Sequence, residues 1–229
     1  RIRSYHDSED ADAGKSALYS AAAALRIYSD KFGPYPYRDM AVVQAPLTYH
    51  GMEFPGVNLI GSQVYNRYTQ DLETLVVHEV AHQWWYNQVG SDQVRTPWLD
   101  EGLAEFTMYY YYGGRYGEPV AERLRQVRWQ LPVAGLVAGG NDRPIGLPVR
   151  DYTSHYETLV YGKGALFFAT LRDELGAEKF DGLLRTYLAR YRWRIATPAE
   201  FQALVEEVAG RDMNGLFNEW VYGSQIASQ

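Results

Sequence analysis

The 229-residue sequence contains no cysteine, which excludes disulfide bridges, thiolate metal ligands and a cysteine nucleophile. This leaves the compartment open, since exported proteins can also lack cysteine. Positive charge is scarce too. The 22 Lys and Arg face 28 Asp and Glu, a net charge of −6, so there is no basic field to hold a phosphate backbone and nucleic acid is not expected as a partner. A cationic or neutral ligand fits better. No apolar run approaches the roughly 18–20 residues that span a bilayer; the longest, residues 131–140, is short and rich in glycine. The chain opens on Arg1, and residues 1–13 are polar and acidic, unlike the basic and apolar pattern of a signal peptide. It reads as a soluble piece of a longer chain, cytoplasmic or exported, with no membrane segment of its own.

What is present is core-forming material: 46% apolar residues and 15% aromatics, among them 20 tyrosines. Residues 16–32 carry Leu18, Ala22, Leu25, Tyr28 and Phe32 at helical spacing and stop at Gly33-Pro34. Residues 40–45 and 56–60 read as short strands around a GMEFPG segment. A long helix is predicted from Thr69, as its N-cap, to about residue 89, and a second opens at Thr96-Pro97 and closes at Gly113-Gly114. Residues 132–154 read as a long glycine- and proline-rich loop bordering the cleft. Four amphipathic helices follow, over residues 157–175, 178–191, 198–209 and 212–222. The third carries a capping box at Thr197 and Glu200. With no internal repeat and no linker, the expectation is a single α+β domain over residues 1–229, predominantly helical, with a small N-terminal mixed sheet.

The informative string is HEVAH, residues 78–82. On a helix, positions four apart differ by about 40° around the axis, so His78 and His82 can converge on one ion. Glu79, turned by about 100°, is left free to hold a water. Eighteen residues after His82 comes Glu101, in the sequence WLDEG at the start of the next helix. Two antiparallel helices joined by a tight loop would bring it beside the histidines. Two nitrogens and one oxygen leave a fourth tetrahedral position open, the donor set of catalytic zinc. The competing reading makes these core or surface histidines and a helix-start carboxylate. Glu105, four residues beyond Glu101, could accept the second ring N–H of a ligating histidine or be a solvated glutamate.

HEVAHQWW followed by WLDEGLAEF resembles the gluzincin metallopeptidases of the aminopeptidase N and leukotriene hydrolase family. Their GxMEN exopeptidase motif is matched by His50, Gly51, Met52, Glu53 and Phe54, and their Y-x-K-G segment by Tyr161, Gly162, Lys163 and Gly164. The resemblance runs from FGPYPY at residues 32–37 to NEWVYG at residues 218–223. It implies a thermolysin-like catalytic domain holding one Zn²⁺ on His78, His82 and Glu101. That family normally adds an N-terminal β domain and a C-terminal helical domain, and neither is present in these residues.

The activity implied is removal of N-terminal residues from peptides with a free N-terminus. Glu79 would take a proton from metal-activated water and Tyr161 would donate to the tetrahedral oxyanion. Glu53 would pair with the α-ammonium while Gly51 and Met52 align the peptide as an added strand. Two positions depart from the motif: His50 replaces its first glycine and Phe54 its asparagine, which leaves exopeptidase and endopeptidase both open. Epoxide hydrolysis on the same scaffold stays open as well, as does a zinc-stabilised binding module without catalysis. Lys163 reads equally as a substrate cation or a packed one, His50 and His155 as cleft or loop histidines, and Trp84 and Trp85 as core aromatics. Tyr49, next to the Met-Glu pair, is a candidate for shaping the first pocket. Oligomeric state is not legible.

Overall fold

The computed structural model describes residues 1–65 and 69–223, with Thr69 and Gln70 described in backbone only. The chain begins with β1 (Ile2–Tyr5), a strand that the polar N-terminus does not announce, and continues into α1 (Ala11–Phe32). Helix α1 starts five residues earlier than the apolar periodicity indicated and ends at Gly33, whose φ of 120° reverses the chain. Then come β2 (Met40–Ala45), β3 (Gly51–Phe54) and β4 (Val57–Gly61). Strands β1, β2 and β4 run parallel while β3 is antiparallel to β4, giving the order β1-β2-β4-β3 and leaving β3 on the edge. The parallel β1–β2 pair requires a long crossover, which α1 supplies. Ala17, Ala21 and Ala24 of α1 are fully buried, and their small side chains let the next long helix approach closely.

After a short α2 (Ser62–Tyr65), α3 runs over Thr69–Ala81. The predicted Thr69 cap therefore rests on a side chain outside those described. The helix ends eight residues short of the predicted end. Tyr86 takes a φ of 110°, its N–H bonds to Val89 O at 2.9 Å, and the chain turns into β5 (Val89–Gly90), which pairs with the distant β6 (Arg194–Ile195). The expected tight loop between the two motif-bearing helices is thus a structured connection that includes a strand. Helix α4 (Trp98–Tyr116) begins beyond Pro97. The Thr96 hydroxyl donates to Asp92 O at 3.1 Å instead of capping the helix. Helix α4 also passes through Gly113-Gly114; a Cβ at Gly114 would lie 3.3 Å from Ile27, a close approach that glycine eases, and Gly117 with φ 94° makes the stop.

Helix α5 (Glu118–Leu124), a π-helical segment at Arg125–Gln130 and α6 (Leu131–Ala138) follow without a break. The first part of the predicted loop is therefore helical, tied down by the buried Val133 and Leu136. A second π-helical segment, Glu157–Lys163, leads into α7 (Gly164–Leu175) and α8 (Ala177–Tyr191). Helix α9 (Pro198–Ala209) carries the predicted capping box and ends on Gly210 with φ 68°; α10 (Asn214–Phe217) and a π-helical turn at Asn218–Tyr222 complete the described chain.

The architecture is predominantly helical with a small mixed sheet. Its core is aromatic: Trp98 stacks on Phe168 at 5.9 Å and meets Phe167 edge-on at 5.4 Å, under Phe201 and Phe217. Helices α4 and α7 touch through Gly102 and Gly164, where an added Cβ on Gly102 would lie 3.0 Å from the facing Cα. Among the described residues, no helix is long and apolar enough to cross a membrane.

Candidate metal centre

His78 lies in the last turn of α3 and His82 one residue past its end, still bonded from its N–H to His78 O at 3.4 Å. The His82 Nδ1–H donates to Trp85 O at 2.9 Å, a carbonyl supplied by the turn that ends the helix. That bond selects the tautomer in which Nε2 carries the lone pair. His82 Nε2 lies 3.1 Å from His78 Nε2, and each nitrogen is 3.2 Å from Glu101 Oε2, carried by the first turn of α4. Tetrahedral ligands at about 2.0–2.1 Å from zinc are about 3.3–3.4 Å apart, so this triangle fits such an ion with little adjustment. Among the described residues it is the one cluster of three or more metal-ligating side chains.

Glu105, on the same face of α4 as Glu101, is 1% exposed. Its Oε2 lies 3.2 Å from His78 Nδ1. Arg128 Nε and Trp129 Nε1 both donate to its Oε1, and Arg128 Nη2 to Oε2 at 3.3 Å. Burial favours the protonated acid, but the Arg128 charge and His78 outweigh it and bring Glu105 down to about 2. The carboxylate is packed and paired rather than solvated.

Glu79 points toward the sheet, with its Oε2 buried and unpartnered. A Cβ on Gly51 would lie 2.1 Å from Glu79 Oε1, so a larger residue there would displace this carboxylate from its place under edge strand β3. Burial is the main cause that raises Glu79 to about 7; the two histidines oppose the rise, and Glu53 and Glu101 add to it. Glu53 is buried on β3, accepts from Gln93 Nε2 at 2.7 Å and has its own carbonyl held by Asn87 Nδ2 at 2.8 Å. Met52, beside it, is half-buried opposite Leu59.

Tyr161 sits in the π-helical segment Glu157–Lys163, with its ring 5.6 Å from that of His78 and its phenol in the field of Glu101. Burial, then Glu101 and Tyr156, push its phenol well above 10. Tyr156 lies 6.1 Å from the Tyr161 ring. Lys163 is the packed cation rather than a substrate one: fully buried, its Nζ donates to Asp142 Oδ1 at 2.7 Å and Arg143 O at 2.8 Å, pinning the loop that precedes the segment. His50, His155 and Tyr49 are exposed, and Trp84 and Trp85 are core.

The field of the site is anionic. Burial alone would neutralise His78, but Glu101 and Glu105 raise it to about 9. His82 is likewise raised against burial, chiefly by Glu101, with Glu53 and Glu79 contributing. Glu101 is lowered in spite of burial, first by the charge of His82. Two imidazoles ringed by carboxylates form a socket for a cation. Sequence reasoning missed Asn87, Gln93, Arg128, Trp129 and Tyr156, which sit at no motif spacing. Tyr156 and Tyr161 are five residues apart, which an α-helix would splay by about 140°; the π turn brings them to one side.

Residues 16–220 match the peptidase family M1 domain. Aminopeptidase M1-D of Oryza sativa subsp. japonica is 28% identical over 235 residues, covering 96% of this chain and 27% of that protein. Glutamyl aminopeptidase of Homo sapiens is 28% identical over 156 residues, 66% of this chain and 16% of its own length. The chain thus spans about a quarter or less of these curated relatives. Among solved structures, the M1 zinc metallopeptidase of Deinococcus radiodurans superposes with a TM-score of 0.71 at 26% identity over 88% of this chain and 43% of that one. Yeast LTA4 hydrolase, at 18% identity, shares the fold with a TM-score of 0.75 over 94% of this chain and 37% of its own.

Proposed function

We propose, from the premise that this chain belongs to peptidase family M1, that it is the thermolysin-like catalytic module, over residues 1–229, of a longer zinc-dependent aminopeptidase. The observation that carries the reading is the triangle of His78, His82 and Glu101, whose three ligand atoms converge while Glu79 stands beside them unpartnered. Zinc bound there supplies a Lewis acid and acidifies a coordinated water. Glu79, held under β3 by Gly51, accepts the proton and passes it to the departing amine. Tyr161 keeps its proton and donates a hydrogen bond to the oxyanion of the tetrahedral intermediate. Glu53 receives the α-ammonium of the peptide, and the free edge of β3 at Gly51 and Met52 aligns its backbone. Glu105 fixes the orientation of His78 through Nδ1.

Glu79→Gln is expected to keep stoichiometric zinc while kcat falls by orders of magnitude. Peptides with a free N-terminus should be cleaved and their N-acetylated counterparts left nearly intact. Equal cleavage of both sets would replace the aminopeptidase with an endopeptidase.

A further inference from the structure

The connection from His82 to Glu101 also holds Glu53. Asn87 Nδ2 fixes the main-chain oxygen of Glu53 and Gln93 Nε2 fixes its Oε1, at 2.8 and 2.7 Å. Among the described residues, Gln93 is the one hydrogen-bond donor on this carboxylate. Glu53 is only 8% exposed; Oε1 is taken by Gln93, and Oε2 accepts no hydrogen bond from the described residues and is not among the fully sealed oxygens. Other acids crowd around it: Glu53 is close enough to Glu79 to disfavour its ionisation, and Gln93 also borders the buried Asp100. An untethered carboxylate here would turn away from its like-charged neighbours. A lysine or arginine at position 93 would tether it too, but would cancel the charge that a substrate ammonium needs. A neutral amide orients the carboxylate and leaves the charge in place.

We propose that Gln93 is a positioning residue for recognition of the free amino terminus: by holding Oε1 of Glu53 it presents Oε2 to the substrate's α-ammonium, and so favours terminal over internal cleavage. This rests on the reading of Glu53 as the ammonium anchor. It acts through Glu53 and touches neither the metal ligands nor the scissile bond, so its effect belongs in substrate binding.

The test uses the zinc-loaded full-length protein, a panel of aminoacyl p-nitroanilides and their N-acetylated counterparts. Gln93→Leu should raise KM for the best free-amine substrate roughly tenfold, the scale of one hydrogen bond to a charged group, with kcat within about twofold. The residual rate on acetylated substrates, and zinc affinity by chelator competition, should be unchanged. Gln93→Lys, which pairs with Glu53, should raise KM further, toward the value of Glu53→Gln. If Glu53→Gln leaves KM for free amines unchanged, the ammonium-anchor reading fails, and this inference with it. If Glu53→Gln raises KM and both Gln93 variants do not, this inference alone fails. Equal losses on free and acetylated substrates with weakened zinc binding would make Gln93 a structural residue and overturn the proposal. Should Gln93→Leu fold poorly, Gln93→Asn, one methylene shorter, must show the same KM shift.

Discussion

The Glu105–Arg128 pair allows metal binding and fold stability to be separated, because its two members differ in exposure. Glu105 is 1% exposed, whereas the Arg128 side chain is 46% exposed. In Glu105→Leu, the guanidinium can turn into water, and the main loss to the fold is the unpaired Trp129 indole N–H, about 1–3 kcal/mol. In Arg128→Leu, a carboxylate stays buried with only Trp129 and His78 beside it. Breaking a buried ion pair in this way costs about 3–5 kcal/mol, and the exposure of Arg128 puts the expectation at the lower end. Zinc affinity should follow the opposite order. Glu105→Leu removes the group that orients His78 and should weaken zinc about 10–100-fold, or about 1.4–2.7 kcal/mol. Arg128→Leu leaves that group in place and should weaken zinc less. Urea unfolding of the zinc-free proteins and zinc titration against a competing chelator measure the two quantities. The same ranking in both assays, or a zinc affinity for Glu105→Leu within twofold of the parent, would refute the reasoning.

Gly51→Ala places a Cβ 2.1 Å from Glu79 Oε1. The carboxylate must move, so kcat/KM should fall about 100-fold with little change in melting temperature; retained activity in a kinetic assay would contradict the contact. Gly102→Ala drives a Cβ to 3.0 Å from the Gly164 Cα, where backbone meets backbone. Overpacking there should cost about 1–3 kcal/mol in urea unfolding, and an unshifted midpoint would show that α4 and α7 can separate freely. Tyr109, Tyr110 and Tyr111 are raised above 10, by burial first and then by hydrogen bonds to Glu118 and Glu122, to Asp181 and to Glu73. Because the folded pKa exceeds the unfolded one, their contribution is complete below pH 10 and is lost as the pH climbs past it. Alkaline unfolding should therefore precede tyrosinate absorbance from these residues, and tyrosinate forming in the folded state would reverse that sign.

The convergence of His78, His82 and Glu101 was legible because it depends on fixed spacing: His78 and His82 stand one helical turn apart at the end of α3, and Glu101 opens the next helix. The helix boundaries were legible only where a local signal acts alone. Thr197, Glu200 and Gly210 bracket α9 by side-chain and backbone bonds within the segment itself. Gly113-Gly114 carried the same local signal for a stop, but the helix runs on to Tyr116, with Gly114 packed close to Ile27 of α1. The strand β1 has a pattern too short and polar to be distinguished, since its pairing partner, β2, lies beyond the whole of α1. Arg128 and Trp129 reach the site from a distant segment, and Gln93, although it lies inside the connection, finds its partner Glu53 far back in the chain, so nothing in their neighbours announces them.

The early end of α3 gives the clearest link from local structure to chemistry. Had the helix continued to residue 89 as its periodicity predicted, the carbonyls of residues 82–85 would have been taken up by helical hydrogen bonds. By unwinding after Ala81, the chain frees Trp85 O to fix the His82 tautomer. It also turns Gln83 onto the β3–β4 hairpin, where Nε2 donates to Phe54 O and Asn58 Oδ1 while Oε1 accepts from Gly56 N. Asn87 and Gln93 then take hold of Glu53 from the same connection. The His78–His82–Glu101 cluster and the edge strand are thereby joined by hydrogen bonds from one short stretch of chain. A shift of β3 relative to α3 would have to break the Gln83, Asn87 and Gln93 contacts together, so the distance from the His78–His82–Glu101 cluster to Glu53 is set mainly by this connection. Lengthening it by one residue between Gln88 and Gln93 should leave zinc bound, because His78 and Glu101 are carried by the flanking helices and His82 with its Trp85 contact lies before the insertion, but should detach Glu53. That variant would retain metal and lose discrimination between free and acetylated peptides, whereas simultaneous loss of both would mean the connection supports the ligands as well.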